Sequence, residues 1–170
     1  MNNTTSHIAL IDDHSLLRGT LVSLIESFEG YKVVLEADNG KDFIDKLSPD
    51  HKPDIILLDI TMPEMDGFQT AAWIKKNLPE ARILVLSMMD NETSIIRMLR
   101  EGARGYLLKD SKPSVLRKAL DEVRDRGFFM NDLVTNKMLN FVPGKIKPAH
   151  MRSPIFPNVK AFSSKWLAQK

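Results

Sequence analysis

Pro53-Asp54-Ile55-Ile56-Leu57-Leu58-Asp59 is the stretch that decides the fold. Its apolar residues run without alternation and end on a carboxylate. The chain then turns through Thr61-Met62-Pro63-Glu64-Met65-Asp66-Gly67. A short unbroken apolar run suits a strand covered on both faces, as in a parallel sheet. The pattern recurs: Ile8-Ala9-Leu10-Ile11 ends in Asp12-Asp13, Ile83-Leu84-Val85-Leu86 ends in Ser87, and Gly105-Tyr106-Leu107-Leu108 ends in Lys109. In an open parallel sheet these C-terminal ends share one rim, where ligands bind. Carboxylates, a hydroxyl and a lysine on one rim read as a divalent-metal site beside a phosphoryl acceptor.

Outward from these runs, strand and helix patterns alternate. Strands are expected at about 7–11, 32–37, 54–58, 82–86 and 104–108. Between them, Leu16, Leu17, Leu21, Leu24, Ile25 and Phe28 share one face of a first helix. Phe43, Ile44 and Leu47 mark a second, Phe68, Ala71, Ala72, Ile74 and Leu78 a third. Ile95, Ile96, Met98 and Leu99 mark a fourth, and Val115, Leu116, Ala119, Leu120 and Val123 a fifth. Gly30, Gly102 and Gly127 follow helix patterns, where a left-handed residue is often required. Pro113 stands in the first turn of the fifth helix, where no amide donor is missed. The expected fold is α/β: a (βα)5 doubly wound, five-stranded parallel sheet of flavodoxin-like order. Right-handed crossovers would put helices on both faces. A C-terminal helical or irregular extension follows.

The chain's totals narrow the chemistry. Its 170 residues suit one domain plus an extension. With no cysteine, disulfides, thiolate nucleophiles and cysteine-ligated metals are excluded. That composition fits a reducing cytosol, and a cytoplasmic location is expected. No 18-residue apolar run offers a membrane span, and the polar start Met1-Asn2-Asn3-Thr4-Thr5-Ser6 has no signal-peptide core. The net charge of +2 hides an asymmetry. Residues 1–130 carry 17 Lys and Arg against 21 Asp and Glu, a net of −4, while residues 131–170 carry 7 against 1, a net of +6. A basic tail is a solvated linker or a contact for nucleic acid.

The motifs together resemble a response-regulator receiver domain over residues 7–128. They are Asp12-Asp13, Asp59, Met62-Pro63-Glu64-Met65-Asp66-Gly67, Ser87 and Lys109. Gly102-Ala103-Arg104-Gly105-Tyr106-Leu107-Leu108-Lys109-Asp110 further resembles the NarL/FixJ-type subgroup, whose members usually carry a LuxR-like helix-turn-helix after the receiver. The resemblance implies Asp59 as phospho-acceptor, with Lys109 and Ser87 as its catalytic neighbours. It implies Mg²⁺ held by Asp12, Asp13, Asp59 and the Thr61 backbone carbonyl. Asp12-Asp13 also admits a plainer reading as a helix N-cap. Ser87 and Tyr106 would form the switch, moving a surface of the fourth helix, fifth strand and fifth helix at about 91–126. Thr61 and Met89 match positions that tune phosphoryl lifetime, and an apolar Met89 suggests a comparatively long-lived phosphoryl state. Gly67 is expected to serve close packing or a positive φ. His14 reads as a surface helix residue.

The implied function is a phosphorylation-controlled response regulator of a two-component system, partnered by a histidine kinase or phosphorelay protein. It would assist its own phosphorylation and dephosphorylation rather than turn over a metabolite. The alternative is an aspartyl-phosphate phosphohydrolase, although Ile60-Thr61 follows Asp59 where such enzymes carry a second Asp two residues on. A flavin domain of similar topology is disfavoured by Asp12-Asp13, which would repel phosphate. The oligomeric options include a homodimer through the first and fifth helices or the fourth/fifth-helix surface.

The pattern breaks after residue 130. The receiver is assigned to 1–130, and 131–170 reads as a Pro-containing, basic linker or tail. Asp132 to Phe141 suits one more short helix, with Leu133, Met138 and Leu139 as apolar contacts. Prolines at 143, 148, 154 and 157 interrupt the rest, and Phe162 and Trp166 share an i,i+4 edge. A LuxR-like module needs about 60 residues of patterned helices, and no recognition helix is visible here. DNA contact is therefore expected only through an output domain not recognisable in this chain. His150-Met151-Arg152-Ser153 reads as a candidate junction.

Overall fold

A computed structural model of the chain describes residues 4–141. The Phe162–Trp166 edge, the four late prolines and the candidate junction lie outside them. The elements are β1 (Ser6–Ile11), α1 (Ser15–Glu26), β2 (Tyr31–Ala37), α2 (Gly40–Lys46), a short 3₁₀ turn (Pro49–His51), β3 (Ile55–Leu58), α3 (Gly67–Asn77), β4 (Arg82–Ser87), α4 (Glu92–Arg100), β5 (Ala103–Leu108), α5 (Pro113–Arg126) and α6 (Asp132–Phe141). Every expected strand and helix is present, each within a few residues of its expected place.

The strands form one five-stranded sheet in the order β2-β1-β3-β4-β5, with every pair parallel. The order reverses direction at β1 and β3, so the crevice between their C-terminal ends is the natural ligand site. Side-chain alternation sends the residues of each strand to two separate cores. Ile8, Leu10, Ile55, Leu57, Leu84 and Leu86 pack with Leu21 and Ile25 of α1 and Leu116, Leu120 and Val123 of α5. Ala9, Ile11, Ile56, Leu58, Ile83 and Val85 pack with Phe43 of α2, Ile74 of α3 and Ile95 and Met98 of α4. Central strands buried on both faces explain why the sequence shows apolar runs instead of alternation.

Caps and turns fix where the helices start and stop. Asn39 and Asn91 accept from the amides of Asp42 and Ser94 and cap α2 and α4. Asp66 and Gln69 form a reciprocal capping box at α3. Gly30, Gly102 and Gly127 take positive φ, as their positions after helices require. Gly67 does not. A Cβ there would lie 2.3 Å from the Asp59 carbonyl oxygen and 2.6 Å from Ile60 Cα. Its bareness therefore serves close packing against the acceptor loop, and the positive φ in this turn belongs to Glu64, at 62°.

The body's apolar contacts continue past residue 130, where the composition changes. Helix α6 packs on α4, and its Val134 is fully buried in the α2–α3–α4 core. Leu133 and Met138 pack against the same core, as the helix pattern suggested.

Candidate functional site

Backbone hydrogen bonds carry the sheet ladder one residue beyond the strands and so fix each functional residue at its root. The Asp12 amide donates to the Ala37 carbonyl (3.0 Å), the Asp59 amide to Ile11 (2.9 Å) and the Lys109 amide to Ser87 (2.9 Å). The side chains that follow converge. Lys109 Nζ lies 2.7 Å from Asp12 Oδ2 and 2.9 Å from Asp59 Oδ2, and all three side chains are almost wholly buried. The other Asp59 oxygen, Oδ1, accepts from the Ile60 amide at 2.8 Å. Asp13 stands at the solvent edge of the group.

Burial sets the electrostatics. It pushes the Asp59 carboxyl above the usual carboxylate range, against the hydrogen bond from Lys109 that would lower it. Burial also works against the Lys109 ammonium, but its bonds with Asp12 and Asp59 outweigh that and hold it above the usual lysine value. A charged amine thus lies between two carboxylates in a nearly dry pocket. A hard divalent cation bound by carboxylate oxygens suits this donor set. Ligand atoms of Asp12, Asp13, His14 and Asp59 all lie within 4.8 Å of one another.

A second network leads away from the acids. The Met89 amide donates to Ser87 Oγ (3.1 Å), and the Tyr106 hydroxyl donates to the Met89 carbonyl (2.6 Å). Tyr106 is fully buried, and burial pushes its phenol up to about 12. Asn131 extends the chain of contacts, donating to the Tyr106 carbonyl at 3.0 Å while its Oδ1 accepts from the Val134 amide of α6. Thr61 Oγ1 reaches Met89 Sδ at 3.7 Å, so these two residues meet above the rim.

The structure therefore brings together Asp12, Asp13, Asp59 and Lys109, and sets Ser87, Met89 and Tyr106 in one adjoining line. Asp13 does not cap α1: the N-cap is His14, which makes no side-chain cap bond. Sequence reasoning missed two residues. His14 is exposed at the start of α1, as expected, and the contacts of its ring are what the sequence did not show: Nδ1 sits 3.0 Å from Asp12 Oδ1 and 3.2 Å from Asp13 Oδ1. The signal was available, since Asp12-Asp13-His14 are three ligand-type residues in a row after an apolar strand. Arg18 had no such signal. It pairs with Asp38 (2.7 Å) and Glu36 (3.2 Å) and donates to the Asp12 carbonyl, tying α1 to the end of β2 and bracing the acid pair.

Comparison with known proteins agrees with this geometry. The model of the response regulator receiver domain matches residues 8–121. The nitrate/nitrite response regulator protein NarL of Escherichia coli (strain K12) is 37% identical over 134 residues, covering 79% of this chain and 62% of that relative. The chain thus spans about three fifths of that relative's length. The chemotaxis protein CheY of Thermotoga maritima is 36% identical over 116 residues, covering 68% of this chain and 95% of CheY. Among solved structures, a LuxR-family two-component response regulator from Aurantimonas sp. SI85-9A1 aligns with a TM-score of 0.72 at 30% identity, over 81% of this chain and 97% of that one.

Proposed function

The chain belongs to the response regulator receiver domain family, and on that premise we propose that Asp59 accepts a phosphoryl group from a histidine kinase or phosphorelay protein. The observation that carries this is the buried Asp12–Lys109–Asp59 constellation at the sheet's switch point. Asp59 forms the new O–P bond as the donor's P–N bond breaks. The bond's electron pair leaves with the imidazole, which departs neutral when its other ring nitrogen is protonated. Phosphoryl transfer asks mainly for positioning and charge neutralisation. Lys109 supplies a fixed positive charge to the equatorial oxygens, and Ser87 supplies a hydroxyl donor. Asp12, Asp13, Asp59 and the Thr61 carbonyl would hold Mg²⁺, which when bound neutralises phosphoryl charge.

The new charge then acts on the line of contacts from Ser87 through Met89 to Tyr106. A phosphoryl oxygen that accepts from the Ser87 hydroxyl draws Ser87 toward it, disturbs that line and shifts the α4–β5–α5 surface. Thr61 and Met89 cover the acceptor and tune the phosphoryl lifetime. Residues 1–130 act as the phospho-acceptor unit, with α6 as a docked extension. In a longer protein the switch would control transcription through a DNA-binding output domain. No described helix is long and apolar enough to cross a membrane, and a cytoplasmic location belongs to this proposal.

The matched relatives are response regulators rather than metabolite enzymes, so the phosphohydrolase reading is not favoured. The test is incubation with Mg²⁺ and acetyl phosphate followed by intact mass. Wild type gains ~80 Da, one phosphoryl group, and Asp59→Asn does not. Equal gain by both would remove Asp59 from the role.

A further inference from the structure

Building on the reading of Asp12 and Asp13 as cation ligands, we propose that Arg18 is a positioning residue for that pair: it fixes the peptide that joins the two acids and so sets how tightly they hold Mg²⁺. The peptide before Asp12 is held by the sheet, since the Asp12 amide donates to the Ala37 carbonyl at 3.0 Å. Strand β1 ends at Ile11, and the peptide after Asp12 is held by a side chain instead. The Asp12 carbonyl accepts from Arg18 Nη1, and the same nitrogen reaches the Ala37 carbonyl at 3.4 Å. A peptide unit is planar, so fixing that carbonyl fixes the plane linking the Asp12 and Asp13 α-carbons. The two carboxylates then leave the backbone in set directions.

The guanidinium is itself anchored. Nε pairs with Glu36 at 3.2 Å and Nη1 with Asp38 at 2.7 Å, and the side chain is only 14% exposed. Glu36 and Asp38 flank Ala37, so Arg18 grips the end of β2 from both sides of the residue that also holds the Asp12 amide. The Asp12 carboxylate has other partners, the His14 amide on Oδ1 (2.8 Å) and Lys109 on Oδ2 (2.7 Å). Arg18 therefore acts on the acids through the main chain. A rigid, planar fork of donors can address two carboxylates and a carbonyl together, whereas an ammonium on a flexible stem is a single point charge.

Charge and positioning predict opposite signs. As a nearby positive charge Arg18 opposes a bound cation, so removing the charge would tighten binding. As a positioning residue its loss frees the peptide and weakens binding, as loss of the groups that orient metal ligands does.

The full chain, its fold checked by circular dichroism, is titrated with MgCl₂ and followed by amide chemical shifts, as wild type, Arg18→Lys and Arg18→Gln. Arg18→Lys keeps the charge and loses the fork, and is expected to weaken Mg²⁺ about fivefold or more. Arg18→Gln is expected to weaken it too, where charge alone would tighten it. In acetyl-phosphate uptake, the Mg²⁺ concentration giving half the limiting rate should rise by a larger factor than the limiting rate falls. A merely structural role lowers the limiting rate through the folded fraction and leaves the Mg²⁺ constant alone. In EDTA, the Asp12 carbonyl ¹³C resonance should move upfield in Arg18→Lys as its hydrogen bond is lost. A folded variant that binds Mg²⁺ as tightly as the wild type, or more tightly, overturns the Arg18 role and leaves the acid site standing. Loss of fold in both variants makes Arg18 a folding residue and overturns the role as well. Failure of the wild type to bind Mg²⁺ overturns the acid site itself, and this role with it.

Discussion

The Tyr106 hydroxyl donates to the Met89 carbonyl at 2.6 Å, across 17 residues of chain, from a side chain with no exposed surface. Met89 in turn gives its amide to Ser87 Oγ. A loop beside the acceptor is therefore tied on one side to the rim and on the other to the core of the α4–β5 face. Asn131 adds the base of α6 to the same tyrosine.

Tyr106→Phe keeps the buried ring and removes one bond. The Met89 carbonyl loses its partner, and stability should fall by about 1–2 kcal/mol. Urea unfolding measures this. Asp59 should still take up phosphoryl from acetyl phosphate at the wild-type rate, while the α4–β5–α5 response, followed by amide chemical shifts, weakens. A matching loss of phosphorylation would show that the tyrosine serves the acceptor and not its readout.

Lys109→Met leaves Asp12 and Asp59 facing each other without their shared cation. Breaking a buried ion pair in this way costs about 3–5 kcal/mol at neutral pH, and phosphoryl uptake should collapse. The pH dependence has a definite sign. Burial already raises the Asp59 carboxyl, and losing Lys109 removes the partner that opposes the rise. A carboxyl raised in the folded state holds its proton more tightly there than in the unfolded chain. Its contribution to stability is complete below the unfolded value of about 4 and is lost as pH climbs through the raised one. Urea unfolding in EDTA should therefore show a larger deficit at pH 7.5 than at pH 4.5. A deficit independent of pH would mean that Asp59 is not the group responding.

Gly67→Ala drives a methyl group into backbone, 2.3 Å from the Asp59 carbonyl oxygen. Neither neighbour can rotate away, because both are main chain. The expected cost is about 1–3 kcal/mol by overpacking, with slowed phosphorylation because the displaced segment carries the acceptor. Thermal unfolding and acetyl-phosphate kinetics measure the two effects, and an unperturbed variant would contradict the contact.

Val134→Asp places a carboxylate where the native side chain is fully buried. Burying an unpaired charge is costly enough that α6 should undock instead. Hydrogen exchange should then lose protection at 132–141 while amides of β1, β3 and β4 stay slow. Uniform loss across the sheet would make α6 an integral part of the core.

Much of the site was legible because strand ends are legible. Asp12, Asp59, Ser87 and Lys109 each directly follow or end an apolar run, and parallel topology gathers such ends on one rim. His14 is exposed at the start of a helix, as its sequence reading has it, but that place says nothing about where its ring turns. Gly67 was left between two roles because a tight backbone approach and a positive φ leave the same mark in sequence. Val134 and Asn131 were obscured by the change in composition after residue 130.

Hydrophobic spacing and turn chemistry alone determined the alternating strands and helices, their two-sided burial and the family of residues on the rim, because these depend on neighbours near in the chain. Only the folded molecule decided that His14 leans on Asp12, that Tyr106 holds Met89, that Gly67 yields to Asp59, and that α6 lies against α4. Two of these relations join separate elements, and the other two are between chain neighbours whose approach depends on how the rim loops turn in the folded molecule. Their distances follow from strand register and from rotamers chosen by packing, which no local pattern encodes.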